Sequence, residues 1–370
     1  MGKNKKKINK SGNHKTSNNS LPKVSVCTPT FNRRPFISTL IKCFDHQTYP
    51  KNLLEWIIID DGTDPIEDLV KNHPQVKYFK YDTKMTLGKK RNLMHEKTTG
   101  SIIVYMDDDD YYPPTRVSHA VEMLNKNPDA LCAGASEIYI YFKHIQKLYQ
   151  FGPYGPNHAT AGTFAFKRKL IHMQKYNEEA SLAEEKEFLD NYKIPFVQLD
   201  PKHVILVFSH IHNTFDKKKL LEGNINNKYI QESDKSIDYF INESDIKQFF
   251  MNEIEEALEK YEPGKPEMKP DVLLQMKEIE IKRKKMIEEQ QQKQQQQEQN
   301  KSITLKQGDN PPVQLTQDQT IRMMQLQQEK IKTLINENTT LKNINKNIIK
   351  ENPDIKSQIE SQLKSQLKSN

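Results

Sequence analysis

Two apolar runs in this chain end abruptly in carboxylates. Ile102–Met106 is short and β-branched, and Asp107, Asp108, Asp109 and Asp110 follow it at once, with Pro113 and Pro114 stopping any continuation. Leu54–Ile59 ends the same way, in Asp60, Asp61, Gly62 and Thr63. Carboxylates crowded at a strand end repel one another unless a cation sits among them. Hard oxygen ligands suit Mg2+ or Mn2+, ions that also hold phosphates. An acidic surface loop or a calcium site is the plainer alternative for the first cluster taken alone. Two more segments carry polar side chains of other kinds. Thr28-Pro29-Thr30-Phe31-Asn32-Arg33 follows the strand-like KVSVC, and Gly88-Lys89-Lys90-Arg91-Asn92 opens a basic helix. Together the segments offer acids for ribose hydroxyls, a cation site, and Lys or Arg for phosphate. That set suits a nucleotide with a diphosphate.

The elements that must position these groups follow from hydrophobic periodicity. Lys23–Thr28, Leu54–Ile59, Val76–Tyr81 and residues 102–106 read as strands, with helices at Pro35–Asp45, Ile66–Asn72 and from Leu87 towards Glu96 between them. This alternation predicts a doubly wound parallel sheet, whose loops at the C-terminal strand ends meet in one crevice. Further on, a helix is predicted over Thr115–Asn127 and strands over Ala130–Ala135 and Glu137–Phe142. A small-residue strand is predicted in TAGTFAF, residues 160–166. A helix over Ser181–Tyr192, capped by Ser181, precedes two short strands at Phe196–Leu199 and His203–Phe208. His210 and His212 come next. Residues two apart on a strand share a face, so both are expected in the crevice.

Composition limits how much of the chain this sheet accounts for. At 35% hydrophobic residues and a mean hydropathy of −0.85, part of the chain is expected to lie outside any core. The expected organisation is a disordered basic arm over 1–20, an α/β domain over 21–216 and a helical extension over 217–262. A linker and Gln-rich segment over 263–319 and a helical tail over 320–370 complete it. Leu334, Leu341 and Ile348 recur at seven-residue spacing, which suggests a short coiled coil and a route to oligomers. The net charge of +7, from 56 basic and 49 acidic residues, is too small to indicate nucleic-acid binding. Cys27, Cys43 and Cys132 are odd in number and scattered, which favours a reducing compartment over a disulfide framework. With no apolar run able to span a bilayer and no signal-peptide core, a cytoplasmic location is expected.

Read together, TPTFNR, IIIDDGT, LGKKRN and MDDDDYYPP resemble the family 2 nucleotide-sugar glycosyltransferases of GT-A fold. The likeness covers Lys23 to Thr214. TAGTFAFKR and AEEKEFL are similar to that family's acceptor-side strand and its Glu-Asp motif. The resemblance implies a GT-A, Rossmann-like, mostly parallel sheet flanked by helices over residues 21–216. It implies inverting transfer of a hexose from a nucleoside-diphosphate sugar, UDP ahead of GDP, to a hydroxyl on a glycan, protein or small molecule. Thr28, Pro29, Thr30, Asn32 and Arg33 would line the base and ribose pocket, and Asp60 and Asp61 would bind base or ribose. Lys89 and Arg91 would face the base or diphosphate. Asp107 and Asp109 match the DXD pair that holds Mn2+ or Mg2+, with Asp108 and Asp110 alternatives because of the run of four. His210 and His212 are candidates for a further metal ligand. Glu184 and Glu185 stand where the family has Glu-Asp, so either is a candidate base. An inactive GT-A-like binding protein and a nucleotidyltransferase are the competing readings. The latter wants a Gly-rich loop after the first strand, where this chain has TPTFNRR. The absence of GxGxxG and P-loop motifs weakens dehydrogenase and kinase readings.

Overall fold

The computed structural model describes residues 20–222, 228–299, 303–306 and 311–366. The basic arm expected over 1–20 lies, but for Ser20, outside the described residues. The chain divides into two compact units, residues 1–279 and 280–370.

The first unit is built on strands β1 (Val24–Thr30), β2 (Leu54–Asp60), β3 (Val76–Lys80) and β4 (Ile102–Tyr105). Helices α1 (Arg34–Asp45), α2 (Glu67–Val70) and α3 (Leu87–Lys97) connect them. All four strands are parallel, in the order β3-β2-β1-β4. Such strands must be apolar on both faces, because helices cover both. Val24, Val26, Trp56, Ile58, Ile102 and Val104 pack on one side, and Cys27, Ile57, Ile59, Ile103 and Tyr105 on the other. A hydrogen-bonded pin joins adjacent strands inside the core: Trp56 Nε1 donates to Thr28 Oγ1 (2.9 Å), which donates to the carbonyl of Met106 (2.6 Å).

After α4 (Arg116–Lys126) the sheet is completed by β5 (Cys132–Gly134), then β8 (Ala165–Lys167) and β9 (Phe196–Gln198), in the order β4-β8-β5-β9. β8 runs antiparallel to both of its neighbours. A smaller sheet, in the order β10-β6-β7-β11, holds β6 (Ile138–Phe142), β7 (Lys147–Phe151), β10 (Leu206–Ser209) and β11 (Ile230–Glu232). The mixed α/β fold with a mostly parallel central sheet is thus the one expected.

Several local expectations are corrected. The twelve-residue helix with a Ser181 cap is only one turn, α5 (Glu185–Phe188). Ser181 instead donates its hydroxyl to Asp271 (2.9 Å), Ala183 sits at φ 54°, and Asp190, Asn191 and Tyr192 also have positive φ. Tertiary contacts and left-handed backbone leave no room for a longer helix. The strand expected to carry His210 and His212 stops at Ser209, so both lie in a turn. In TAGTFAF the expected strand is confined to the end: a helical turn at Ala161–Thr163 precedes β8, which takes up Ala165 and Phe166. In the region expected to be a helical extension, β11 joins the small sheet ahead of α6 (Ser244–Gln248) and α7 (Ile254–Glu259). The residues from 263, expected as a linker, form short helical turns at Glu262–Gly264 and Pro266–Met268, and the helix-prone stretch after them is α8 (Pro270–Gln299).

In the second unit, β12 (Ile303–Leu305) pairs with β13 (Val313–Leu315). Helices α9 (Gln317–Glu351) and α10 (Pro353–Gln366) follow. Thr316 and Gln319 form a reciprocal capping box that starts α9. No described helix is long and apolar enough to cross a membrane.

Candidate active site

The loops after β1 and β4 and the start of α3 meet at the C-terminal edge of the parallel strands, as the topology requires. They wall a cavity of about 210 Å³. Its lining includes Pro29, Thr30, Arg33, Arg91, Asp107, Asp108 and Asp109 from the sequence-based set. Thr28, Asn32, Asp60, Asp61 and Lys89 are outside that wall.

Each of these outliers has a local reason. Thr28 belongs to the core pin. Asp60 is saturated by Gly62 N (2.9 Å), Ile66 N (3.1 Å) and the Tyr78 hydroxyl (2.7 Å), which fold the β2–α2 loop. Asp61 accepts from Met85 N (2.6 Å) and pairs with Lys90. Lys89 is exposed on the outer side of α3, so the inward lysine is Lys90. Asn32, at φ 53°, turns the chain and spans two loops. Its Nδ2 donates to the Pro263 carbonyl (2.8 Å), and its Oδ1 accepts from Asp64 N (3.0 Å).

The run of four aspartates divides by orientation. Asp107, Asp108 and Asp109 face the cavity, whereas Asp110 turns back and accepts from Phe208 N (3.2 Å) on β10. Arg33 holds the pair Asp108 (3.5 Å) and Asp109 (3.4 Å) while donating to the His212 (3.0 Å) and Gly264 (3.3 Å) carbonyls. Burial disfavours the charge on Asp109, but the His210 hydrogen bond and Arg33 outweigh it and hold its pKa well below the ordinary range. Burial pushes Asp108 up, reinforced by Asp109. Burial also raises Asp107, against the pull of Arg91.

His210 and His212 play different parts. The backbone N–H of His212 donates to His210 Nδ1 (3.2 Å), leaving His210 Nε2 to face Asp109 at 3.3 Å. His210 therefore holds Asp109 from outside the cavity. Burial drives its pKa down to about 3 and that of His212 to about 4, so both imidazoles are neutral. Among the described residues neither of the buried ring nitrogens of His212 has a hydrogen-bond partner. Gly264 is what lets the chain pass this ring, since a Cβ there would lie 2.6 Å from His212 Nδ1.

Arg91 links the acidic turn to the glutamate pair. Its Nε donates to Glu184 (2.8 Å), its Nη2 lies 3.8 Å from Asp107, and it stacks on the Tyr105 ring at 4.4 Å. Glu184 is thereby committed to a buried ion pair. Among the described residues Glu185 has no such partner; burial, then Glu184, raises its pKa to about 6. Neither glutamate lines the cavity, although Ser181 and Leu182 just before them do.

Among the described residues no three His, Cys, Asp or Glu side chains converge tightly enough to hold an ion as they stand. The kind of donor does fit: Asp107 Oδ1 is buried and has no hydrogen-bond partner among the described residues. Gly162 keeps space beside Asp107, where a Cβ would come within 2.8 Å of Oδ2. Hard carboxylate oxygens of this sort suit Mg2+ or Mn2+.

Sequence reasoning missed Lys84, Lys269 and Asp271, which also line the cavity. Lys84 binds Asp271 (2.6 Å). Lys269 is pushed below its ordinary pKa by burial and by Arg33. Nothing in the local pattern EPGKPEMKPD marks Lys269 or Asp271, which arrive from a segment more than a hundred residues beyond the acidic run; Lys84 stands ahead of that run, between β3 and α3.

Residues 25–184 match the family model described as Glycosyl transferase family 2. Over 110 residues the chain is 27% identical to the poly(ribitol-phosphate) beta-N-acetylglucosaminyltransferase TarS of Staphylococcus aureus, covering 28% of this chain and 19% of that protein. Over 96 residues it is 30% identical to a GalNAc(5)-diNAcBac-PP-undecaprenol beta-1,3-glucosyltransferase of Campylobacter jejuni, covering 24% of this chain and 30% of that one. The chain thus spans less than a third of the length of either curated relative. Among solved structures, the mannosyltransferase PcManGT of Pyrobaculum calidifontis, in complex with GDP-Man and Mn2+, aligns with a TM-score of 0.41 at 18% identity. That alignment covers 51% of this chain and 57% of that one.

Proposed function

We propose, from the premise that residues 25–184 form a glycosyl transferase family 2 domain, that this chain moves a sugar from a nucleoside-diphosphate sugar to an acceptor hydroxyl with inversion. The observation that carries the reading is Arg91. It ties the aspartate turn after β4 to the glutamate pair before α5, so a phosphate-side group and a base-side group share one buried cation.

The chemistry divides among the residues accordingly. Glu185 takes the acceptor hydroxyl proton as that oxygen bonds to the anomeric carbon. A carboxylate with a pKa near 6 is a better base than an ordinary one and is still ionised at neutral pH. The bond from the anomeric carbon to the phosphate oxygen breaks, and its electron pair leaves with the nucleoside diphosphate. Arg33 and Arg91 offset the negative charge at that end of the cavity. Asp107 and Asp109 would hold Mn2+ or Mg2+, which supplies charge neutralisation for the diphosphate. Glu184 keeps Arg91 in place and Asp60 shapes the loop, so neither touches substrate in this scheme.

The test is release of nucleoside diphosphate from a panel of UDP- and GDP-sugars with Mn2+, read with and without EDTA. Release from one donor, abolished by EDTA, is expected. Binding of nucleotide with no turnover on any donor and acceptor would instead establish an inactive binding protein.

For the C-terminal unit we infer self-association through α9. Leu334, Leu341 and Ile348 share one heptad position, and Ile331, Asn338 and Asn345 share the other core position. Leu334 and Leu341 are 53% and 58% exposed. Asn within an otherwise apolar seam favours two parallel strands in register.

A further inference from the structure

Among the described residues five cations line the cavity, and four of them already have an acid. Lys84 binds Asp271 (2.6 Å), Lys90 binds Asp61, Arg91 binds Glu184 (2.8 Å), and Arg33 binds Asp108 and Asp109 at 3.5 and 3.4 Å. Lys269 is the exception. Among the described residues its ammonium makes no hydrogen bond and no ion pair. It lies 5.8 Å from the centroid of the Phe31 ring, which Lys84 and Lys90 also approach, at 5.4 and 5.9 Å.

The segment that delivers Lys269 is fastened at both ends. Before it, the Pro263 and Gly264 carbonyls accept from Asn32 and Arg33, and Tyr261 donates to Asp64 (2.7 Å). After it, Asp271 is gripped by Lys84 and Ser181, and Gln275 bonds Ser181 N (2.9 Å) and the Glu179 carbonyl (2.6 Å). Pro270 begins the long helix α8, so the positive end of that helix points at the same wall. A lysine held this firmly against a cavity, with no acid in direct contact with its ammonium among the described residues, is arranged for an anion that arrives from solution.

We propose that Lys269 is a diphosphate-binding residue of the donor site, supplied by a strap of residues 262–272 that lies outside the family-matched segment. This rests on the transferase reading above and adds to it a phosphate contact and a structural requirement. The donor site is incomplete without the strap.

Calorimetric titration of the full chain with inorganic pyrophosphate, UDP, GDP and the matching nucleosides, each with Mn2+, tests the assignment. Lys269→Met keeps the stem against Phe31 and removes the charge; Lys269→Gln is a second neutral variant, and Lys269→Arg keeps the charge. The neutral variants are expected to lose roughly 10- to 100-fold in affinity for pyrophosphate and for the preferred nucleoside diphosphate. Nucleoside affinity and the ligand-free unfolding temperature stay as in the wild type, and Lys269→Arg retains most of the diphosphate affinity. Equal pyrophosphate affinity in wild type and neutral variants overturns the role of Lys269 and leaves the transferase reading standing. A loss that extends equally to the nucleoside also overturns it, since the residue would then be shaping the pocket. A wild type that binds no diphosphate overturns both.

Discussion

Residues 20–279 and residues 280–370 use the same apolar side chains to opposite ends. In the first unit Ile57, Ile59, Ile103 and Val104 are all but inaccessible, pressed between sheet and helices. In the second, Leu326, Ile331, Leu334 and Leu341 stand 66%, 56%, 53% and 58% exposed along α9, which buries none of its residues. A strand in a doubly covered sheet finds partners within its own chain. A solitary helix with an apolar seam does not, and its stability depends on what it meets. Chemistry follows the same division: all of the cavity's cations and carboxylates belong to the first unit.

Cutting the chain is the most direct way to break that contrast. A chain ending at Ile279 is expected to keep donor binding and transfer within about twofold, because the strap and the Asp271 and Gln275 contacts survive. One ending at Tyr261 removes Lys269 and Asp271 and uncovers His212, and is expected to lose nucleotide binding altogether. Parallel titrations of the two truncations decide it. Equal activity in both would show that the strap, like the tail, is dispensable.

Next in size is Glu185→Gln, expected to lower transfer by roughly 10²- to 10⁴-fold while leaving nucleotide-diphosphate affinity unchanged. The wild-type rate should rise with pH through about 6, as the Glu185 carboxyl ionises beside Glu184, Arg91 and Tyr192. Stability should move the other way. A carboxyl whose pKa is raised on folding binds more protons in the folded than in the unfolded state, so its contribution falls as pH rises from about 4.5 to about 6. A flat rate profile across that window would move the base elsewhere.

Arg91→Met sharpens the comparison from the side of stability. It strands Glu184 as an unpaired buried charge, which costs about 3–5 kcal/mol in the first unit and nothing in the second. Urea denaturation followed by near-UV circular dichroism, which reports the aromatic core, would register the loss. The smallest effect is expected from Asn338→Leu in α9. It should strengthen association and relax two-stranded specificity, seen as higher species in sedimentation equilibrium, with transfer unchanged. A wild type that stays monomeric at high concentration would remove the coiled-coil reading.

Much of the site was legible because parallel strands announce themselves. Runs such as LEWIII and SIIVYM, short, β-branched and bounded by turn residues, read as buried strands, and in a parallel sheet the polar residues after them share an edge, so Arg33, Arg91 and the aspartates of 107–109 could be named in advance. Periodicity failed where a side chain's role depends on a distant partner. Lys89 and Lys90 are adjacent and chemically identical, and only the docking of α3 on the sheet turns Lys90 inward. Ser181 looked like a helix cap because helix caps and tertiary hydrogen bonds use the same hydroxyl. Nothing near Lys269 indicated a cavity.

The order of residues by itself determined the parallel sheet, the edge at which acids and bases collect, and the seven-residue seam of α9, because each follows from local patterning of apolar and polar side chains. Tertiary structure alone decided which aspartate faces away, which glutamate is tied to Arg91, and that Lys269, Asp271 and Val272 line the cavity. Those outcomes depend on contacts between segments far apart in the chain, where burial and charge pairing, rather than local propensity, set the energy.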